Sequence, residues 1–435
     1  VSTIGEPLPE TPGAQPPRRG IRGLFQRSGD PLGSNYRKLW TASAISNLGD
    51  GVRWTALPLL GASITRDPAK IAAIDLFATL PWFLFALLAG ALVDRWDKRL
   101  AMAIANGVRF LLVLGLALAT LWGAESLLLI YVVGFLMGCS ETIFDNSAQT
   151  ILPAIVRKDQ LERANGRLYA AEIINNQFVG PPLGGFLFAA AAAAPFFLDS
   201  ASFLISALLI AVLVGSFRSP RDETAGATTI RTDIAEGLKW LWNHRLIRTL
   251  AIMLGIWNGV SMAGFAIFVL FALEILGLDE VGYGILLGAS TVGSLIGSMA
   301  ASRLSKAGAG TTLIAMVTLG ALSSLGIGLT SSAIVVGLMS AIFGFTSVVW
   351  NVITVSLRQA IIPDRLLGRV NSVYRLLGWG SMPVGAALGG VMGSTLGLRS
   401  PFIMQAIVLI LMAIVALPII NNKSIAAARA AAENS

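Results

Sequence analysis

One cysteine, Cys139, and one histidine, His244, stand in a chain of 435 residues. A lone cysteine excludes an internal disulfide and any cysteine metal cluster. A lone histidine excludes a His-based zinc site and a histidine proton relay, so no metal is expected. Charge is scarce as well: Asp, Glu, Lys and Arg make up 13% of the residues. No nucleophile motif or phosphate-binding loop is visible, so the sequence does not read as an enzyme and calls for no cofactor.

Apolar side chains are what the chain has in excess, at 55% of residues. A soluble protein of this length could not hide that much apolar surface, which makes a multi-spanning membrane protein the natural class. Twelve apolar segments, each about the 20 residues needed to cross the hydrocarbon, divide into six within 39–217 and six within 247–420. Residues 1–38 are polar, Pro/Gly-rich and basic without an apolar core, and read as a disordered tail rather than a cleaved leader. Residues 421–435 form a second tail.

The net charge of +8 is distributed by side. With twelve spans, 26 of the 32 Lys and Arg fall on the face that holds both termini. Arg66, Lys70 and Arg399 fall on the other, and Arg53, Arg109 and Arg375 lie inside spans. This is the positive-inside pattern, which predicts a cell-membrane protein with both termini cytoplasmic. The basic charge is a topology signal and not a nucleic-acid footprint.

The longest polar stretch, 218–246, separates the halves. Its Ile234, Leu238 and Leu241 at helical spacing, with Trp240 and Trp242, suit a helix lying at the cytoplasmic interface; a plain solvated linker is the alternative. The halves repeat each other. "LERANGRLY" (161–169) aligns with "LGRVNSVYR" (367–375), "GPPLGG" (180–185) with "GAALGG" (385–390), and "DGVR" (50–53) with "NGVS" (258–261), at offsets of 205 to 208. A near-constant offset means a duplicated six-span unit. Such repeats put a substrate site between the halves near mid-membrane, opened to each side in turn.

Those residues carry a resemblance. "GALVDRWDKR" (90–99) resembles the G-x-x-x-D-R-x-G-R-R loop of the major facilitator superfamily, with Asp97 in place of the Gly and Lys98 in place of one Arg. "GPPLGG" resembles the G-P-x-x-G-G core of that superfamily's drug:proton antiporters, with Asn176 where a further Gly is usual. The layout from about Tyr36 to Asn421 is similar to the macrolide-efflux and siderophore-exporter branch, also called transmembrane secretion effectors. The resemblance implies an all-α fold of twelve transmembrane helices in two pseudo-symmetric six-helix bundles. It also implies spans one and four on the central cavity, and export driven by the proton gradient. Gly90, Asp94, Arg95, Lys98 and Arg99 read as an ion-pair latch at the rim or as plain topology charges. Gly180, Pro181, Gly184 and Gly185 read as a bend or as pure packing in span five. "GILLG" (284–288) and "GSLIG" (293–297) read as packing faces of span eight.

The charges inside the spans point to function. In the repeat, Asp50 corresponds to Asn258, Asp145 to Asn351, Glu141 to Ser347, Glu172 to Gly378 and Arg53 to Ser261. An acid at a helix centre costs about 2.5–3.5 kcal/mol on insertion scales. A structural need for a polar group would be met more cheaply by the Asn of the second half. Asp50 and Arg53 share one face of span one, and Glu141 and Asp145 one face of span four. Acids competing for Arg53 give the minimal chemistry of proton antiport; a static Asp50–Arg53 pair that fixes packing is the alternative. Arg109 would pair with a neighbouring acid or snorkel. Glu172, Asn175, Asn176 and Gln177 are candidate cavity residues, as are Arg375, Asn258 and Asn351, while Trp257, Trp350 and Trp379 either stack on substrate or take interfacial or core places. Asp199 and Glu274 read as solvated rim charges near the outer face.

These observations predict a monomeric secondary transporter, embedded in the lipid bilayer, that exports a small amphipathic molecule in exchange for protons. An importer or facilitator is the nearest alternative. A membrane sensor or scaffold would have no use for a duplicated bundle, a gate motif and mid-membrane acids.

Overall fold

In the computed structural model, residues 31–93, 96–215, 217 and 230–433 are described. Most of the N-terminal tail, Asp94 and Arg95 of the gate motif, and 218–229 of the linker lie outside them. Lipid offers the backbone no hydrogen-bond partner, so each apolar run satisfies its own N–H and C=O groups as a helix. The first four helices are α1 (Ser34–Ile64), α2 (Pro68–Val93), α3 (Lys98–Leu121) and α4 (Leu127–Ile155). Span five is α5 (Leu161–Glu172), a π-helical stretch (Ile173–Val179) and α6 (Gly180–Ala190); α7 (Ala194–Ala211) is span six. The connecting helix α8 (Ile230–Asn243) follows.

Span seven is α9 (Arg245–Phe265) with the short α10 (Phe268–Leu270) and a second π stretch, Phe271–Ile275. α11 (Glu280–Leu329) holds two spans, bent at Gly308, whose φ of 148° favours glycine. The Asn422 side chain steadies that bend by accepting from the Gly310 N–H at 2.9 Å. α12 (Ala333–Ile361), α13 (Asp364–Leu396) and α14 (Ser400–Ala416) complete the second bundle, and α15 (Asn422–Glu433) lies beyond it. Among the described residues seven helices are long and apolar enough to cross a membrane: α2, α3, α4, α7, α9, α11 and α12. α1, span five and α13 are the polar spans, and α14 is a shorter apolar helix of 17 residues. With α11 counted twice, the spans number twelve.

Helix starts follow from local side chains. Asp97 accepts from the Leu100 N–H at 3.2 Å and Asp279 from the Gly282 N–H at 2.7 Å. Asp97, where the gate pattern has Gly, is thus the cap of α3. The single histidine does similar work: His244 Nδ1 accepts from the Ile247 N–H at 3.3 Å, and Trp240 stacks on the ring at 5.0 Å. Burial lowers the His244 pKa, which favours this neutral, accepting imidazole.

The apolar cores reveal how the bundles meet. We call the end that holds the start of α1, α8 and α15 proximal. There each bundle has its own core, one around Tyr36, Leu39 and Met102, the other around Leu250, Leu313 and Trp350. At the distal end one core runs through both bundles, joining Leu57 and Ile74 to Phe268, Tyr283 and Phe402. A smaller distal cluster joins Ala72 to Ala266 and Ala386.

Within lipid, helices associate by close packing and not by hydrophobic expulsion, which is why small residues mark the contacts. Gly180 packs on Gly51 and Gly184 on Val52, inside the first bundle. At matching positions Gly385 packs on Gly259 and Gly389 on Ala263, inside the second. The last glycine of each motif crosses over. Gly185 meets Glu280 and Gly284, and Gly390 meets Ala69 and Ala72. Gly284 and Gly288 face the Phe178–Pro182 stretch, whereas Gly293 and Gly297 face Ala341 and Phe345 within the second bundle. Pro181 has no N–H to offer the Gln177 carbonyl one turn earlier. That carbonyl accepts instead from Thr291 Oγ1 of the other bundle, at 2.9 Å. The glycines therefore set the packing, and the proline frees a backbone acceptor for the interface.

The connecting helix belongs to the second bundle. Glu236 pairs with Arg369, Gly237 lies against the Arg369 backbone, and Leu241 is buried in the core. Leu238 and Trp242 point away and are exposed.

Candidate functional site

α1 places Asp50 and Arg53 one turn apart, and Arg53 Nη2 lies 2.7 Å from Asp50 Oδ1. The same guanidinium meets a second acid. Its Nε is 3.0 Å from Oδ2 of Asp199 on α7, close enough for an ion pair although the N–H is not aligned for a hydrogen bond. Asp199 is fully buried, at 0% exposure. This corrects the reading of Asp199 as a solvated rim charge. Counting residues from a span end gives depth but not facing. Gly49, with no side chain, lets α7 press Asp199 and Ser202 directly onto α1. Glu274, by contrast, is exposed.

In front of this pair lies a cavity of about 300 Å³ in the proximal half of the first bundle. α1 contributes Asn47 and Asp50, α3 Arg109, α4 Glu141 and Asp145, and span five Asn165, Glu172 and Asn176. Arg109 does not snorkel: it is 3% exposed, and its guanidinium lies 5.3 Å from the ring centres of both Phe144 and Phe203. Four acids and one base thus line the cavity, with the Arg53–Asp199 pair behind Asp50. Counting that pair, five carboxyl groups share two guanidinium groups.

The other candidates take different places. Asn175 donates to the Ala44 carbonyl at 3.2 Å, and Asn258 to the Gly378 carbonyl at 3.0 Å, so both tie neighbouring spans together. The Gln177 side chain is exposed, as are Asn351 and Arg375. Arg375 sits one turn before Trp379 on the same helix face, and Trp379 stacks on Trp82 of the first bundle at 4.9 Å. Trp257 and Trp350 are not cavity aromatics. They are 5% and 2% exposed and stack on each other at 6.0 Å in the core of the second bundle. Of the gate motif, Gly90 lies in α2, Lys98 is buried, and Arg99 donates to the Leu213 carbonyl at 2.9 Å. Cys139 is half-buried.

The second bundle has a cavity too, about 230 Å³ around Ser261, Phe265 and Gln405, but of the two only the first is lined by charged side chains. Three paired positions set the bundles apart. The repeat offsets match Gly49 of α1 with Trp257, Phe144 of α4 with Trp350, and Leu168 of α5 with Tyr374. Phe144 and Leu168 line the cavity, while Trp257, Trp350 and Tyr374 are packed into the second bundle's core. Arg358 lies over the Tyr374 ring at 4.1 Å and donates to Asn371 Oδ1 at 3.0 Å. Larger side chains occupy in one repeat the space that acids and cavity share in the other.

Twelve spanning helices in two related bundles, with an acid-lined chamber inside one of them, define a membrane transporter and not an enzyme. The family model described as transmembrane secretion effector matches residues 30–434, and the chain belongs to this family of the major facilitator superfamily. It is 26% identical over 390 residues to the multidrug efflux pump Tap of Mycolicibacterium fortuitum, covering 86% of this chain and 93% of that protein. It is 24% identical over 363 residues to the enterobactin exporter EntS of Shigella boydii serotype 18, covering 82% and 85%. The fold is similar to the crystal structure of nucleoside transporter NupG, with a TM-score of 0.73 at 12% identity over 88% of this chain and 99% of that one.

Proposed function

We propose that this transporter exports a small amphipathic molecule across the cell membrane in exchange for protons, as a monomer with both termini cytoplasmic. The carrying observation is the charge imbalance of the first bundle. Asp50, Glu141, Asp145 and Glu172 face one cavity with Arg109, and Arg53 is shared between Asp50 and Asp199. Within a membrane such an excess of acids is balanced by protons or by a cationic group, and exchanging one for the other is antiport. Asp50 is our first choice for the coupled proton, since it is both cavity-lining and paired. Glu141 and Asp145 are the neighbours that relay or share it. The naming of Tap and EntS as an efflux pump and an exporter supports the outward direction.

The basic face is the proximal one, so the proximal cavity faces the cytoplasm and the distal core closes the outer side. Alternating access then means opening the distal contacts and closing the proximal rim, where the gate motif stands. The test is transport of a panel of dyes and antibiotics in vesicles with an imposed pH gradient. Asp50→Asn, Glu141→Gln and Asp145→Asn are each compared with the parent. Loss of gradient-driven accumulation with retained substrate binding identifies the coupled acid. Full accumulation by all three variants would rule out proton antiport through this cavity.

A further inference from the structure

Asp75 of α2 is a buried acid outside the cavity. It is 7% exposed, and no basic side chain forms an ion pair with it among the described residues. Its position on the helix gives it meaning. Pro68, Ala72, Asp75, Thr79 and Trp82 recur at alternating spacings of four and three, so they form one stripe along α2. That stripe faces the other bundle: Pro68 and Ala72 pack against Gly390 and Gly393, and Trp82 stacks on Trp379. Asp75 therefore sits within the distal seal, between two stretches that touch the opposite bundle directly.

The wall around it is nearly free of charge. α13 carries no ionisable residue from Leu376 to Leu396, and neither does the span-seven segment from Leu250 to Leu273. α1 has none from Trp54 to Ile64. α11 presents the buried Tyr283, whose phenol is within electrostatic reach of Asp75, while Glu280 on the same turn lies against Gly185. α4 meets the adjacent face of α2, around Ala78 and Pro81, through Gly134 and Gly138. Its Tyr131 hydroxyl is taken up by the Lys70 carbonyl at 2.8 Å. On α2 itself, Lys70 pairs with Asp67 at 3.8 Å, near the distal end of the helix.

We propose that Asp75 is a second proton-binding site, separate from the cavity, and that its occupancy switches the distal seal. A neutral carboxyl fits an apolar wall; a carboxylate there lacks both water and a cation. Opening the seal hydrates the stripe and lets the group ionise. Proton binding and closure therefore favour each other, and a rise in pH on the distal side favours opening. Because the apolar core lies between Asp75 and the proximal cavity, its proton exchanges with the distal solution. The group acts as a gate sensor and not as the carried proton.

This inference rests on the alternating-access reading, and its test needs no transport. On a Cys139→Ser background, spin labels at Lys70→Cys and Thr395→Cys, both exposed at the distal ends of α2 and α13, report the width of the seal in lipid nanodiscs. Double electron–electron resonance between pH 5 and pH 9 should show a wider population that grows with pH. The limit for one proton is about tenfold in the open-to-closed ratio per pH unit. Asp75→Asn should hold the narrow distance at every pH, Asp75→Glu should keep the response, and Asp50→Asn should leave it in place. A response that survives in Asp75→Asn, or is absent from the parent, overturns the proposal. A response that vanishes only in Asp50→Asn assigns it to the cavity and likewise overturns it. If Asp75→Asn does not fold, Tyr283→Phe replaces it, with an expected shift in the pH midpoint; an unchanged midpoint counts against the site.

Discussion

Gln405 Nε2 donates to Ser261 Oγ at 3.0 Å, and these two residues occupy in the second bundle the places that Asp199 and Arg53 hold in the first. The match follows from "PFFLDS" (195–200) and "PFIMQA" (401–406), offset by 206. The duplicated unit thus keeps a polar tie between its first and sixth spans, neutral in one copy and charged in the other. A neutral tie suffices for packing. The charged version gives Arg53 a second acid in Asp199, so that removing the charge of Asp50 would not strand the guanidinium.

Replacing Arg53→Ser together with Asp199→Gln should therefore transplant the neutral tie. We expect a folded protein within about 1 kcal/mol of the parent, measured by thermal unfolding in detergent, with pH-driven accumulation lost. Asp50→Asn alone should also fold, because Asp199 still holds Arg53. Asp50→Asn with Asp199→Asn leaves a buried cation unpaired and should cost about 3–5 kcal/mol. Equal stability of that last variant and the parent would show that Asp199 does not hold Arg53.

The two adjacent glycines of span five should separate folding from gating. A methyl at Gly184 meets the Val52 carbonyl inside one bundle, whereas a methyl at Gly185 meets the Glu280 carbonyl of the other. Gly184→Ala should lower stability by about 1–3 kcal/mol. Gly185→Ala and Gly390→Ala should instead loosen the distal seal and speed labelling of a Leu76→Cys reporter by an impermeant maleimide. Identical labelling rates in the Gly184 and Gly185 variants would refute the division of roles.

Much of the architecture was legible because membrane physics is written in long signals. Runs of about twenty apolar residues and a constant repeat offset needed no side-chain detail. The acids Asp50, Glu141, Asp145 and Glu172 and the base Arg109 were also readable, since a charge inside an apolar run is conspicuous. Facing was not. Asp199 looked like a rim charge because its depth was judged by counting, and Trp257 looked like a stacking surface because no count tells core from cavity. Asp75 passed unnoticed near the end of its span. For Asp199 and Trp257 the repeat held a usable clue: Gln405 opposite the first, and Gly49 opposite the second.

The aromatic core of the second bundle gives a further expectation. Tyr374→Leu with Trp350→Phe copies the smaller first-bundle pair into a closed core. The cavity left behind should cost roughly 2–5 kcal/mol, read as a lower unfolding temperature, while the ratio of coupled to uncoupled transport stays unchanged. A change in coupling without loss of stability would assign these residues to the substrate path.

The scarcity of charge in the second bundle has an electrical consequence. Well inside its spans it holds one side chain charged at neutral pH, Arg375, whereas the first bundle holds the acidic or basic residues Asp50, Arg53, Asp75, Arg109, Glu141, Asp145, Glu172 and Asp199. A membrane potential acts on charge that moves, at about 2.3 kcal/mol per elementary charge for each 100 mV. Voltage would then pull mainly on one half of the molecule, so that current recorded during turnover would report the first bundle more than the second.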